Sequence, residues 1–288
     1  MRQLALFLCS MGIAVSSWAY DNNQIYAGDT LQPVTLSQAL GQVAAGTIVI
    51  VSELHDHEPH HQHQVAVLQE LKKAGAPGVS LGMEFFEYTK QSVLDAFLAG
   101  SLLESDFLKQ IGWGGNKWEN YREQVLFPLS AGGTTLALNA PRAVTGKVAH
   151  TGISSLTPEE AALLPPNWSL GNDHYFERFK AVMGGGHIPE EAIMRYFTAQ
   201  SLWDETMSWK AVDFMRQNPD QILVILVGDF HAVYGGGLAD KIHQRGWNQV
   251  LTIGQVSLEG ATPQEQDEIM KPHAVYGKRA DFIWVGDR

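Results

Sequence analysis

Gln221-Ile222-Leu223-Val224-Ile225-Leu226-Val227-Gly228-Asp229-Phe230-His231 is the stretch whose reading decides the fold. Its apolar run is unbroken, whereas a strand with one wet face would alternate apolar and polar residues. An unbroken run suits a strand covered on both faces, as in a parallel sheet between helices. Shorter runs of the same kind occupy residues 47–51, 78–83, 134–138 and 249–253, with 282–285 as an edge strand. Amphipathic segments separate them, so the pattern predicts an α/β fold: a mostly parallel central sheet flanked by helices.

The helices are read from their spacing. Pro59 suits a first helical position, and Val65, Leu68 and Leu71 line one side of a helix running to about Ala74. Further helices are expected over 90–98 and 118–129. The long segment between the third and fourth main strands, about 144–218, reads as an all-helical insertion that caps the sheet edge. Within it Thr157-Pro158-Glu159-Glu160 is a capping box, 189–216 is one long or kinked helix, and Gly184-Gly185-Gly186 separates two arms.

The first residues carry a different signal. Arg2, an apolar stretch from Leu4 to Val15, and Ser17-Trp18-Ala19 have the three regions of a secretory signal peptide over 1–19, leaving one domain over 20–288. Export is the expectation. The chain's only cysteine, Cys9, lies in that segment, so the remaining part has no disulfide, thiolate metal site or cysteine nucleophile. The net charge is -11, and one unit more negative without Arg2. So acidic a chain lacks the general attraction to phosphate backbones on which nucleic-acid binding rests.

In an open parallel sheet, ligands sit beyond the carboxyl ends of the strands. Four strands here end in polar residues: Ser52-Glu53-Leu54-His55-Asp56-His57, then Glu84, then Asn139 before Pro141-Arg142, then Asp229-Phe230-His231. Convergence of Glu53, His55, Glu84, Asn139 and His231 on one hollow is the central expectation. Two histidines with carboxylates suit a divalent metal or general acid–base chemistry. Asp56 and Asp229 equally suit helix N-caps. In the run from His55 to His63, His60 and His61 are expected behind the site and His57 and His63 in solvent. Aromatic residues crowd the insertion, and a flat apolar cofactor such as haem would need such a lining plus a Tyr or His on iron. Tyr175, beside His174, and Tyr234, close after His231, are the candidates.

These residues resemble a known family. Ser52-Glu53-Leu54-His55-Asp56 with His60-His61-Gln62-His63-Gln64 resembles the Gly-Glu-x-His-Asp…His-His-x-x-Gln signature of the ChaN-like haem-binding uptake proteins, with Ser52 replacing the usual Gly. Met83-Glu84-Phe85-Phe86, Leu138-Asn139-Ala140-Pro141-Arg142, the segment from Ala199 to Met207, and Gly228-Asp229-Phe230-His231 with Gly236 resemble its later motifs in order. The resemblance implies haem binding for iron uptake, in the periplasm or at the outer membrane. It also implies a homodimer holding two haems face to face with tyrosine on iron, and an outer-membrane haem receptor as partner. His55, His231, Tyr175, His174 and Tyr234 are the cofactor-binding candidates. The Glu-x-His and Gly-x-x-His pair also resembles the wider superfamily of Tiki/TraB-type proteases and erythromycin esterases. That implies a rival, a metal-dependent hydrolase with Glu53, His55, Glu84 and His231 as metal ligands or catalytic groups.

Overall fold

The computed structural model describes residues 20–55, 57–184 and 187–288. The proposed signal peptide, Cys9, Asp56, Gly185 and Gly186 lie outside the described residues. Among the described residues eight strands form one sheet: β1 (Ile25–Ala27), β2 (Pro33–Val34), β3 (Ile48–Glu53), β4 (Val79–Glu87), β5 (Thr135–Asn139), β6 (Ile222–Gly228), β7 (Val250–Val256) and β8 (Phe282–Val285). Their order is β2-β1-β8-β7-β3-β6-β4-β5, with β8 through β5 mutually parallel and β1 antiparallel to both its neighbours. The α/β fold predicted from the apolar runs is the fold observed. The antiparallel pair β1 and β2 was not anticipated, being too short to leave a periodic signal.

The two-residue period of a strand divides the central runs between two cores. Val49, Val51, Val224 and Leu226 face the helix Glu58–Lys73, meeting Val67, Leu68 and Leu71. Ile48, Ile50, Leu223, Ile225 and Val227 face the opposite way, meeting Met207, Ala211 and Met215 of the helix Glu190–Gln217. Each fully buried aliphatic side chain contributes about 1.5–3 kcal/mol relative to exposure. The unbroken apolar run in β6 therefore reflects two packed faces.

The insertion is helical over Arg142–Thr151, Pro158–Ala161, Asp173–Val182 and Glu190–Gln217, with the Thr157 capping box formed as expected. Residues 162–172 carry no helix, so it is not helical throughout. The helix expected over 118–129 is three short pieces, Trp118–Asn120, Arg122–Leu126 and Phe127–Ser130. Pro128, which has no N–H to continue a helical ladder, sits in the last.

His57 and His63, expected in solvent, are both buried. Residues from the far end of the chain cover them. The His63 ring stacks on Trp284 at 3.9 Å, and a His57 ring nitrogen meets the Gly286 carbonyl. No spacing rule within 55–63 could reveal a lid supplied by β8.

Candidate functional site

β3 ends in Glu53, a carboxylate with almost no exposure. Its Oε1 accepts from His55 Nδ1 at 2.8 Å and from the Tyr121 hydroxyl at 2.5 Å; its Oε2 accepts from Gln64 Nε2 at 2.5 Å and lies 3.5 Å from His61 Nδ1. Burial alone would raise its pKa, but the donors from His55, His61 and Tyr121 prevail and hold it down at about 2. The same bond, opposed by burial and reinforced by Glu84, raises the pKa of His55. The His55 side chain is 41% exposed, with its edge on Phe85. His61, expected behind the site, is there: its Nε2 meets the His55 carbonyl at 2.9 Å. His60 anchors the same loop by accepting the Leu54 N–H at Nδ1, 3.0 Å away.

A second carboxylate–imidazole pair stands at the end of β6. His231 Nδ1 donates to Asp204 at 2.7 Å, and its Nε2 is 3.4 Å from Glu84 Oε1. Burial opposes the charged ring, yet Asp204 and Glu84 on either side raise its pKa to about 10. His231 is therefore a cation at neutral pH. Glu84, half-buried but facing His231 and accepting the Gly228 N–H at 2.6 Å, stays below the usual carboxylate range. Gly228 matters here for want of a side chain: a Cβ would come within 3.1 Å of the His55 ring.

These groups line one hollow of about 670 Å³, within the size range of small-molecule sites. Glu53, His55, Glu84 and His231 form its floor, as expected from the strand ends. Asn139 does not line it. Its side chain instead donates to the Glu84 carbonyl at 2.9 Å and receives the Ala140 N–H, pinning two strand ends together. Asp229 caps no helix; it pairs with Arg279 and accepts from the Ser52 hydroxyl.

Of the other candidates, Tyr234 lines the hollow. Tyr175 is fully buried beneath it, donating to Asp204 at 2.7 Å and receiving Gln200 Nε2 at 3.1 Å, so it braces His231 rather than facing a ligand. His174 is exposed, 6.1 Å edge-on from Tyr276. The proposed metal set was Glu53, His55, Glu84 and His231. Among the described residues no three His, Cys, Asp or Glu side chains are arranged to hold a metal ion. Both glutamates are occupied by protein donors, and His231 is protonated between two acids.

His273, Tyr276, Arg178 and Arg279 complete the wall and were missed. Three of them sit in the loop leading into β8, distant in sequence from the strand ends that form the floor. Arg178 lies within 6.0 Å of the Tyr175, Phe230, Tyr234 and Tyr276 rings, close enough for cation–π attraction. Tyr234 itself has φ 60°, a left-handed backbone that costs a bulky residue on the order of 1–3 kcal/mol.

A family profile described as haem-binding uptake, Tiki superfamily, ChaN, matches residues 39–242. No curated protein matches the sequence. Among solved structures the fold is similar to that of ChaN from Campylobacter jejuni, described with cofacial haem, at 15% identity over 90% of this chain and 95% of that one, TM-score 0.62. A weaker likeness, TM-score 0.47, reaches an erythromycin esterase mutant in its open conformation, at 10% identity over 84% of this chain and 81% of that one. The profile spans four of the eight strands, β3 to β6, and both pairs of carboxylate and imidazole, and the chain belongs to the ChaN-like haem-binding uptake family of the Tiki superfamily.

Proposed function

We propose that this protein is exported by residues 1–19 to the periplasm and there binds haem non-covalently in the hollow, in the service of haem or iron uptake. The observation that carries this reading is the wall: Phe230, Tyr234, Tyr276 and Trp203 offer aromatic surface to a flat macrocycle. Among the described residues the Tyr234 hydroxyl makes no hydrogen bond, which leaves it for iron. His55, pushed toward its cationic form by Glu53, faces the same space as a partner for a haem carboxylate. Leu54 and Val182, large apolar residues exposed by 47% and 72%, stand at the rim. They suit a second copy of this chain closing over the ligand, and an outer-membrane haem receptor is the partner this role requires.

Titration of the purified protein with haemin tests the reading. A shifted Soret band and a doubled mass are expected. Tyr234→Phe should lose the tyrosinate absorption and weaken binding by on the order of tenfold or more. An unshifted Soret band with unchanged mass would end the proposal.

One observation favours a second reading. Glu53 holds the His55 ring by Nδ1 and leaves Nε2 toward the hollow, the arrangement of a general base with its orienting carboxylate. On this reading His55 takes a proton from water and the protein hydrolyses an ester or amide. Assay against a panel of such substrates should then show turnover that falls by about 10²–10⁴ in His55→Ala. Equal rates in the two proteins would exclude it.

A further inference from the structure

We infer that Arg178 is the positioning residue of the site: it locks Tyr234 in its left-handed backbone and so presents the phenol to the ligand. The inference rests on the haem reading for the phenol's role, and on geometry alone for the lock. Tyr234, Gly235 and Gly236 have φ of 60°, 68° and 79°, a run of three left-handed residues. Glycine takes this conformation without penalty, and two of the three positions have it. A tyrosine in the remaining one needs external hold.

Arg178 supplies that hold from the helix Asp173–Val182. Its Nη1 donates to the Val233 carbonyl at 2.6 Å and to the Gly235 carbonyl at 3.1 Å, the residues on either side of Tyr234. The guanidinium carbon also lies 5.2 Å from the centre of the Tyr234 ring and 4.8 Å from that of Phe230. From the other direction, the Tyr234 N–H donates to the Arg279 carbonyl at 2.7 Å. The Arg279 guanidinium carbon lies 5.4 Å from the same ring, but among the described residues only Arg178 reaches both the ring and the carbonyls on either side of Tyr234. No carboxylate forms an ion pair with Arg178 among the described residues; carbonyls and ring faces are what receive its charge. A guanidinium suits this task through its fixed fork and its affinity for aromatic faces, which an ammonium matches only in part.

The experiment compares Arg178→Ala, Arg178→Lys, Tyr234→Phe and the Arg178→Ala/Tyr234→Phe double variant. In the ligand-free protein, Arg178→Ala should raise amide exchange at Tyr234 and Gly236, whose N–H groups are hydrogen-bonded, at least tenfold, with Arg178→Lys intermediate; unchanged exchange there overturns the lock. With haemin, Arg178→Ala should lose the tyrosinate band as Tyr234→Phe does, and the double variant should bind within about twofold of Tyr234→Phe alone, since coupled residues are not additive. An Arg178→Ala protein that keeps the band, or losses that multiply in the double variant, overturns the positioning role. If Arg178→Ala does not fold, Arg178→Lys carries the same comparison. Failure of the haem reading shows separately, as wild-type protein without a Soret shift but with the exchange effect intact.

Discussion

Glu205→Ala is expected to destabilise the protein by about 3–5 kcal/mol, the cost of leaving a buried charge unpaired. Glu205 lies in the middle of the helix Glu190–Gln217, with 4% of its side chain exposed. Its Oε1 is 3.0 Å from Lys241 Nζ, and its Oε2 accepts from Arg245. Lys241, 1% exposed, also donates to the Ser169 carbonyl and hydroxyl and to the Leu170 carbonyl at 2.8–3.0 Å. That ammonium ties residues 169–170 of the insertion to the helix Leu238–Gln244. Without Glu205 it keeps three dipoles but no counter-charge, and the Ser169 N–H loses its acceptor. The thermal midpoint should fall by about 10 °C, at about 2–4 °C per kcal/mol for a chain of this size. Adding Lys241→Met should recover much of the loss, because the charge that needed a partner is gone. A single variant within about 1 kcal/mol of wild type in urea unfolding would show that water reaches the pair.

Stability is expected to peak near neutral pH and to fall on both sides, for different histidines. His60 is fully buried; its Nδ1 accepts the Leu54 N–H, and among the described residues its Nε2 makes no hydrogen bond. Burial, with His57 and His63 nearby, pulls its pKa down to about 3. As the pH drops below the ordinary histidine value of about 6.5, the unfolded chain takes this proton first, and stability falls until the native ring also protonates near pH 3. By pH 5 the loss from His60 alone is about 2 kcal/mol. His231 acts in the opposite sense. Its pKa of about 10 in the fold means that the Asp204 and Glu84 contacts stabilise fully below about 6.5 and fade as the pH rises through 10. That costs about 2–3 kcal/mol between pH 7 and 9. Against a total of about 5–15 kcal/mol, either limb is large. Urea midpoints at pH 5, 7 and 9 measure both, and His231→Gln should flatten the alkaline limb. A midpoint constant over this range would refute the buried charge states assigned to both rings.

The acid limb bears on the site as well as the fold. The bond lost when His60 protonates is the one to Leu54, which stands between Glu53 and His55. Acid should therefore loosen the floor of the hollow before the sheet unfolds.

How much of this was legible in the amino-acid order depends on the range of each interaction. Strand position and burial on both faces show in the order of residues within one segment, and the run from Ile222 to Val227 declares them. The gathering of Glu53, His55, Glu84 and His231 is legible too, because parallel strands put their carboxyl ends on one edge whatever the loops do. Beyond that, the outcome rested on groups that meet only in space. Whether Asn139 faces a ligand or pins a neighbouring strand depends on the Glu84 carbonyl. Tyr175, rather than lining the hollow, is turned by Asp204 into a brace for His231. The burial of His57 and His63 comes from Trp284 and Gly286, and the arginine that holds Tyr234 comes from another element altogether. Backbone periodicity is local, so sequence alone determined the six strands β3 to β8 and the functional edge, but not the short pair β1 and β2. Charge states, donor pairing and the exposure of single side chains depend on what lies across a few ångströms, and only the tertiary structure decided those.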